Sequence, residues 1–75
     1  MNKQPTYVKV IVQWNELHRV YDATANLYHG KKTNETMTLS RNTDYEALEA
    51  LDRHFAHRFG CHIYEVPFSV QTVLL

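Results

Sequence analysis

Apolar and polar residues alternate along the first half of the chain with the period of β-strands. From Thr6 to Trp14, the alternate residues Val8, Val10, Val12 and Trp14 are apolar, which predicts a first strand with one buried face. Leu17 to His29 alternates similarly and predicts a second strand, bent or bulged because it exceeds the usual strand length. Thr33 to Arg41 is rich in β-branched Thr and predicts a third strand. Together these segments predict an antiparallel meander.

Residues 43–60 carry the start and stop signals of one helix. Thr43, followed three residues later by Glu46, predicts a capping box at the N-terminus. Gly60 is suited to the left-handed conformation that ends a helix. The apolar residues of this segment recur at helical spacing and are predicted to pack on the sheet as one stripe: Leu48, Leu51, Phe55 and Phe59.

The chain after the helix is predicted to return to the sheet. Cys61 to Val66 is predicted to form a fourth strand, and Pro67 to interrupt its hydrogen bonding. Phe68 to Leu75 is predicted to continue as an extended apolar end, with a fifth short strand as an alternative. The predicted fold class is α+β, a two-layer β-β-β-α-β domain with one helix across the meander and a returning strand.

The sheet of this fold has two different faces. If Val8, Val10 and Val12 face the helix, the opposite face is left to solvent or to a partner. We call this opposite side the open face. Its predicted members combine aromatic, β-branched and basic side chains: Tyr7, Lys9, Ile11, Gln13, Val20, Tyr28, Thr36 and Thr38.

The length and composition of the chain fit one small globular domain. It has 75 residues, of which 44% are apolar and 21% are charged, so we expect a folded chain rather than a disordered one. We predict a single domain over residues 1–75, with a flexible N-terminus at 1–5 and an extended C-terminal segment at 67–75. A domain of this size has little room for a large catalytic cleft.

The charges balance overall but are separated along the chain. Eight Lys or Arg residues balance eight Asp or Glu residues, so the broad electrostatic attraction of a nucleic-acid-binding protein is missing. Residues 1–41 nevertheless contain six basic and three acidic residues, a net charge of +3, and residues 42–75 contain two and five, a net charge of −3. The basic half would therefore favour an acidic partner surface.

The chain contains a single cysteine, Cys61, which has no internal partner for a disulfide. Secreted domains this small usually depend on disulfides, so we expect a cytoplasmic protein. The segment from Met1 to Thr6 is polar, and the nearby apolar run from Val10 to Val12 is too short to cross a bilayer. The sequence therefore predicts no membrane partner.

Four potential zinc ligands lie close together in the sequence, namely His54, His57, Cys61 and His62. Zinc accepts four such ligands in tetrahedral geometry. The helical periodicity, however, directs His57 away from the buried stripe, and the spacing matches no zinc-finger or metalloprotease pattern. We expect no metal and no cofactor, with a zinc site at these four residues as the alternative.

The sequence offers no assembled catalytic machinery. Cys61 follows the C-terminus of the predicted helix, whose partial negative charge disfavours a reactive thiolate, so it is expected to be a small buried apolar residue. A nucleophile elbow, a phosphate-binding glycine loop and a recognisable pair of catalytic carboxylates are all missing. We therefore predict a protein that is not an enzyme and has no catalytic residues.

One pattern combines strands, a basic turn and a helix that begins with an acidic residue and Ala. Its elements are Trp14, Tyr21, the turn Gly30 to Lys32, the strand Thr36 to Leu39, and residues 46–48. Over residues 14–59 this order resembles the DNA-binding N-terminal domains of tyrosine recombinases. A nucleic-acid role would use Tyr7 or Tyr28 to stack on bases, with Lys9, Arg19, Lys31 and Lys32 contacting phosphates.

A second likeness covers most of the chain. Its short length, low Gly content, capped helix after a Thr-rich strand (Thr36 to Glu46) and extended segment from Cys61 to Val66 set the architecture. This architecture resembles small inhibitors of bacteriophages and mobile elements, such as type I anti-CRISPR proteins and the small phage inhibitor of bacterial RNA polymerase. The resemblance implies a non-enzymatic module that docks on a host protein complex.

These observations lead to one functional prediction and three alternatives. We predict a protein-binding module that contacts its partner through Tyr7, Lys9, Tyr28, Lys31 and Lys32. Weak nucleic-acid binding and a structural or assembly subunit are alternatives to this function. A homodimer is a further alternative, because an apolar end is unusual on the surface of a monomer: Val70, Val73, Leu74 and Leu75.

Overall fold

The computed structural model describes residues 4–73 and contains the elements in the predicted order. The elements are β1 (Tyr7–Asn15), β2 (Val20–His29), β3 (Lys32–Arg41), α1 (Asp44–Phe59), a 3-10 turn (Ile63–Glu65) and β4 (Phe68–Val73). The strands form one sheet in the order β3-β2-β1-β4, with the helix packed across it. The predicted α+β fold class and β-β-β-α-β order are confirmed.

The sheet is mixed. β1 pairs antiparallel with β2, and β2 pairs antiparallel with β3, so the predicted meander is confirmed. β4 pairs parallel with β1, after the helix has carried the chain back across the sheet. The β2–β3 register shifts between Leu27 and Tyr28, because Asn34 of β3 has no opposite residue in β2. The bulge therefore lies in the third strand, and not in the second, where the sequence predicted a bend or bulge.

The second strand begins later than predicted. Its predicted start at Leu17 is wrong, because Leu17 lies in the turn between β1 and β2 and is 84% exposed. The side chain of Asn15 accepts a hydrogen bond of 3.2 Å from the backbone N–H of His18. Arg19 then adopts a left-handed conformation with φ 55°, which reverses the chain before Val20. Local turn hydrogen bonding therefore overrides the alternating pattern over these residues.

The helix begins and ends at the predicted residues, but the Glu46 carboxylate bonds to the Thr43 hydroxyl and not to the Thr43 backbone N–H, which the predicted capping box requires. The Thr43 hydroxyl oxygen accepts a hydrogen bond of 3.1 Å from the Glu46 backbone N–H, and the hydroxyl donates one of 2.9 Å to the Glu46 carboxylate. Gly60 has a φ of 75°, and its N–H donates to the carbonyl of Ala56 at 2.8 Å. Both ends therefore satisfy backbone groups that would otherwise lack partners.

The core lies between the helix and the strands beneath it. Leu51, Phe55 and Phe59 are buried as predicted. Leu48 is only partly buried, and the small Ala47 is fully buried in its place, so the stripe is turned slightly from the predicted one. The residues of the sheet that complete this part of the core are Val8, Val10, Val12, Ala23, Ala25, Leu27 and Met37.

The segment between the helix and β4 differs from the prediction. The predicted strand from Cys61 to Val66 is wrong, because the chain forms the 3-10 turn there and pairs only from Phe68 onward. Ile63 and Val66 are both buried, and this spacing of three places both on the inner side of a turn. The N–H of Val66 donates to the carbonyl of Ile63 at 3.1 Å.

The strand that returns to the sheet is therefore β4, which lies within the segment Phe68 to Leu75 that was predicted to be an extended apolar end. Pro67 does not interrupt this strand but precedes it, and its carbonyl accepts the N–H of Val8 at 3.0 Å. No fifth strand occurs within residues 4–73. Residues 1–3 of the N-terminus predicted to be flexible, and Leu74 and Leu75 of the apolar end, lie outside the described residues.

Candidate functional site

The register of the sheet places the predicted open-face residues on the side away from the helix. Val8, Val10 and Val12 are buried beneath the helix, so the residues between them point to the other side. The paired strands continue this side with Asn26 opposite Lys9 and Thr24 opposite Ile11. Cross-strand hydrogen bonds fix the next strand to it: Thr24–Thr38 at 3.0 Å and Thr36–Asn26 at 3.2 Å.

Two tyrosines meet at one end of the open face. Tyr7 and Tyr28 are direct partners in the β1–β2 register, and their ring centroids lie 5.7 Å apart with the planes tilted by 51°. The Tyr7 hydroxyl donates a hydrogen bond to the hydroxyl oxygen of Ser69. Both tyrosines are half-buried, so the pair forms a fixed aromatic surface rather than two mobile side chains.

Two lysines lie at the hairpin beside these rings. Gly30 has a φ of 76°, and its N–H donates to the Thr6 side-chain oxygen at 2.9 Å, which fixes the turn to β1. Lys31 and Lys32 are exposed, and Lys32 lies at the first position of β3 rather than in the turn. Among residues 4–73 no carboxylate forms an ion pair with Lys9, Lys31 or Lys32.

The structure thus brings the five predicted site residues to one end of the sheet, which we call the basic corner: Tyr7, Lys9, Tyr28, Lys31 and Lys32. Lys9 is half-buried and lies one open-face position beyond Tyr7. The structure adds Ser69 to these residues, because Ser69 accepts a hydrogen bond from Tyr7. The sequence did not indicate this contact, since the fourth strand was predicted at Cys61 to Val66. The only signal of Ser69 in the sequence is its place in the extended end after Pro67.

The cations of the second half of the chain have partners, unlike those of the basic corner. Arg58 forms a two-point ion pair with Glu35, one bond of which measures 2.9 Å. Arg53 pairs with Glu49 one helical turn away at 3.2 Å. Within residues 4–73, the lysines of the basic corner therefore differ from Arg53 and Arg58 in having no carboxylate partner.

The four potential zinc ligands do not converge. His54 and His57 are exposed on the helix, while the His62 ring lies 2.8 Å from the Asp52 carboxylate and stacks on Tyr64 with centroids 5.1 Å apart. His62 precedes the 3-10 turn, and its predicted place in a strand is wrong. Within residues 4–73 no three metal-ligating side chains form a cluster that could hold a metal ion.

Cys61 has the surroundings of an unreactive thiol. It is half-buried rather than fully buried and packs against the core. Burial raises the pKa of the Cys61 thiol, and the carboxylates of Glu65 and Asp52 raise it further. The thiol therefore stays protonated at neutral pH, and a nucleophilic role has no support from these surroundings.

Comparisons with known proteins give no match, so a functional assignment rests on the geometry described above. No family model, no curated protein and no solved structure matches the chain. In the part of the chain that the structure describes, no helix has both the length and the apolar character needed to cross a membrane.

Proposed function

We propose that this protein is a non-enzymatic protein-binding module that docks on a host protein complex, in the manner of phage or mobile-element inhibitors of the anti-CRISPR type. The basic corner carries the proposal, because it combines a fixed pair of tyrosines with three lysines that have no carboxylate partner among residues 4–73. Interface energy concentrates in a few aromatic and charged anchors, and this end of the sheet offers both kinds. Tyr7, Lys9 and Tyr28 lie on the open face, whereas Lys32 is opposite His29 and therefore on the helix side of the same end.

The thiol and the histidines of the chain are more consistent with a binding function than with catalysis. The protonated Cys61 thiol and the separated histidines favour a surface that binds over one that reacts. A cytoplasmic host complex would also keep this thiol reduced. We therefore assign the function to surface complementarity alone.

The partner surface is proposed to be acidic. The basic corner lies in the half of the chain with a net charge of +3, so opposite charge on the partner would speed association. Such steering weakens with salt, because the Debye length falls from about 10 Å at 0.1 M to about 3 Å at 1 M ionic strength. The rate of association should fall over this range more than the rate of dissociation changes.

The test is capture of the partner by tagged variants, with and without nuclease. Tyr28→Ala and the double reversal Lys31→Glu with Lys32→Glu should each leave the fold intact by circular dichroism, and at least one should reduce capture tenfold or more. The matched control is Arg19→Glu with Arg41→Glu, which makes the same change in net charge at exposed residues elsewhere. If the control weakens capture as strongly as both corner variants, the assignment to the corner is wrong.

Binding of single-stranded nucleic acid is the second candidate function, because paired tyrosines near lysines also form a platform on which bases can stack. The zero net charge of the chain argues for weak binding at physiological salt. Fluorescence polarisation with labelled single strands and duplexes at 150 mM salt distinguishes the two functions. Sub-micromolar binding that is lost in Tyr28→Ala would favour the nucleic-acid function over the inhibitor.

A further inference from the structure

The two outer edges of the sheet differ in how they are protected. β3 carries Lys32, Glu35 and Arg41 and has a bulge at Asn34, which has no opposite residue in β2. Charges and bulges of this kind keep another strand from pairing with an edge. β4 has the sequence Phe-Ser-Val-Gln-Thr-Val, which contains no charged residue and no proline, and its pairing with β1 is regular. The β4 edge therefore lacks these protecting features.

The backbone groups on the outer side of β4 can be assigned from its pairing. Val8 lies opposite Phe68 and donates its N–H to the carbonyl of Pro67. In a parallel pair this alternation directs Ser69, Gln71 and Val73 toward β1. The N–H and C=O groups of the intervening residues consequently point to the open edge: Phe68, Val70 and Thr72.

The side chains of the same residues face a groove that the helix leaves uncovered. The helix lies mainly over β3 and β2, so Phe68 and Val70 remain 44% and 46% exposed although they share the face of the buried valines. The groove has a volume of about 360 Å³. We call it the β4 groove, and its apolar lining includes Val10, Tyr45, Leu48, Tyr64, Phe68 and Val70.

The two charged side chains that line this groove are acidic, and each also contacts a basic side chain. Glu49 pairs with Arg53 at 3.2 Å, and Asp52 lies 2.8 Å from the His62 ring. Glu49 and Asp52 line it, and Asp44 lines an adjoining recess that shares Tyr45, Leu48 and Val70 with it. No Lys or Arg lines either space in the described chain. A second copy pairing through its own β4 would bring no cation to these carboxylates and would place the two acidic sets near one another. Charge complementarity therefore favours a different, basic occupant.

We propose that the β4 edge and the β4 groove bind an extended basic segment of a partner protein, which adds a fifth strand to the sheet. Its backbone bonds to the outward groups of Phe68, Val70 and Thr72, and alternate apolar side chains enter the groove. Lys or Arg side chains reach Asp44 and, by replacing Arg53, Glu49. Strand addition of this kind draws affinity from main-chain hydrogen bonds and specificity from alternate side chains. This site uses the outer edge and the helix-side face of β4, whereas the basic corner uses Ser69 on the opposite face of the same strand, so the two sites use different side chains.

The probe is a labelled peptide in which Val alternates with Thr and Lys, and its matched control replaces each Lys with Glu. The Lys peptide should bind at least tenfold more tightly, and hydrogen exchange of the outward Val70 N–H should slow on binding. Equal binding of the two peptides would overturn the charge argument. Binding without protection of Val70 would overturn strand addition.

Two variants test the site from the side of the protein. Val70→Pro removes an outward N–H that the sheet does not use, and should weaken binding of the Lys peptide tenfold or more while circular dichroism shows the fold retained. Glu49→Gln should weaken it about threefold, independently of any effect of proline on folding. Thr38→Lys makes the same charge change on the open face and should have no effect, and an equal loss in this control would overturn the proposal.

Two further results separate this site from other interpretations. Reversal of Lys31 and Lys32 should leave peptide binding unchanged, so failure of the basic corner and failure of the β4 groove remain distinguishable. Light scattering of the peptide-free protein should show a monomer. A dimer that Val70→Pro dissociates would show that a second copy occupies the edge, and would overturn the proposal of a basic segment.

Discussion

Asp52 and Ile63 are joined by a hydrogen bond of 2.8 Å, from the Ile63 backbone N–H to the Asp52 carboxylate. The other carboxylate oxygen of Asp52 lies 2.8 Å from the His62 ring. These contacts fasten the chain to the helix immediately before it turns toward β4. A helical side chain thus helps to position the strand that borders the β4 groove.

Replacement of Asp52 by Ala should destabilise the protein. The part-buried N–H of Ile63 would lose its partner, which costs about 1–3 kcal/mol. For a domain of this size each kcal/mol lowers the melting temperature by about 4–8 °C. Glu49→Ala is the control, because its exposed pair with Arg53 contributes only about 0.2–0.5 kcal/mol. Similar melting temperatures for the two variants would contradict the role of Asp52.

Removal of a core side chain should have a larger effect. Leu51 and Phe55 are fully buried, and truncation of either to Ala should lower the free energy of unfolding by about 2–5 kcal/mol. Leu17→Ala removes the same number of carbon atoms as Leu51→Ala from an exposed position and should change it by less than about 0.5 kcal/mol. Urea denaturation measures both. Equal midpoints for the two Leu variants would show that the helix packs through another face.

Substitution of Gly60 tests the end of the helix. No atom lies within 4 Å of the position where a Cβ would be placed, so Ala would cause no clash but would be held at a φ of 75°. This left-handed conformation costs a residue with a Cβ about 1–2 kcal/mol. Asn tolerates it better, so Gly60→Asn should be less destabilising than Gly60→Ala in urea denaturation. The reverse order would contradict a left-handed end at this residue.

The environment of Cys61 predicts the pH dependence of its reactivity. Burial and the carboxylates of Glu65 and Asp52 raise the pKa of the folded thiol above its ordinary value of 9.0. Alkylation by iodoacetamide should therefore be slower in the native protein than in urea at the same pH. The unfolded thiol ionises first as the pH rises through 9.0, so the free energy of unfolding should fall there. Native alkylation as fast as that of the unfolded chain at neutral pH would contradict this environment.

Much of the fold could be predicted because its signals lie close together in the sequence. The alternation of Val8, Val10 and Val12 indicates a strand with one buried face. Thr43 and Gly60 mark the ends of the helix, because each forms hydrogen bonds to a residue within four positions. The same local reasoning failed at Cys61 to Val66, where the spacing of three between the buried Ile63 and Val66 fits a 3-10 turn rather than the period of two of a strand. The contact with Asp52 that accompanies the turn spans ten or eleven residues, a distance over which no periodicity operates.

The sequence by itself determined the meander, the helix and its ends, the separation of charge, and the alternation that places Tyr7 and Lys9 on one face. Only the tertiary structure decided that β4 lies parallel to β1, that Ser69 reaches Tyr7 across 62 positions, and that the helix leaves Phe68 and Val70 uncovered. The physical reason is that strand pairing uses backbone groups that every residue except proline supplies alike. The choice of partner strand, and with it the β4 groove, therefore depends on how the whole chain packs.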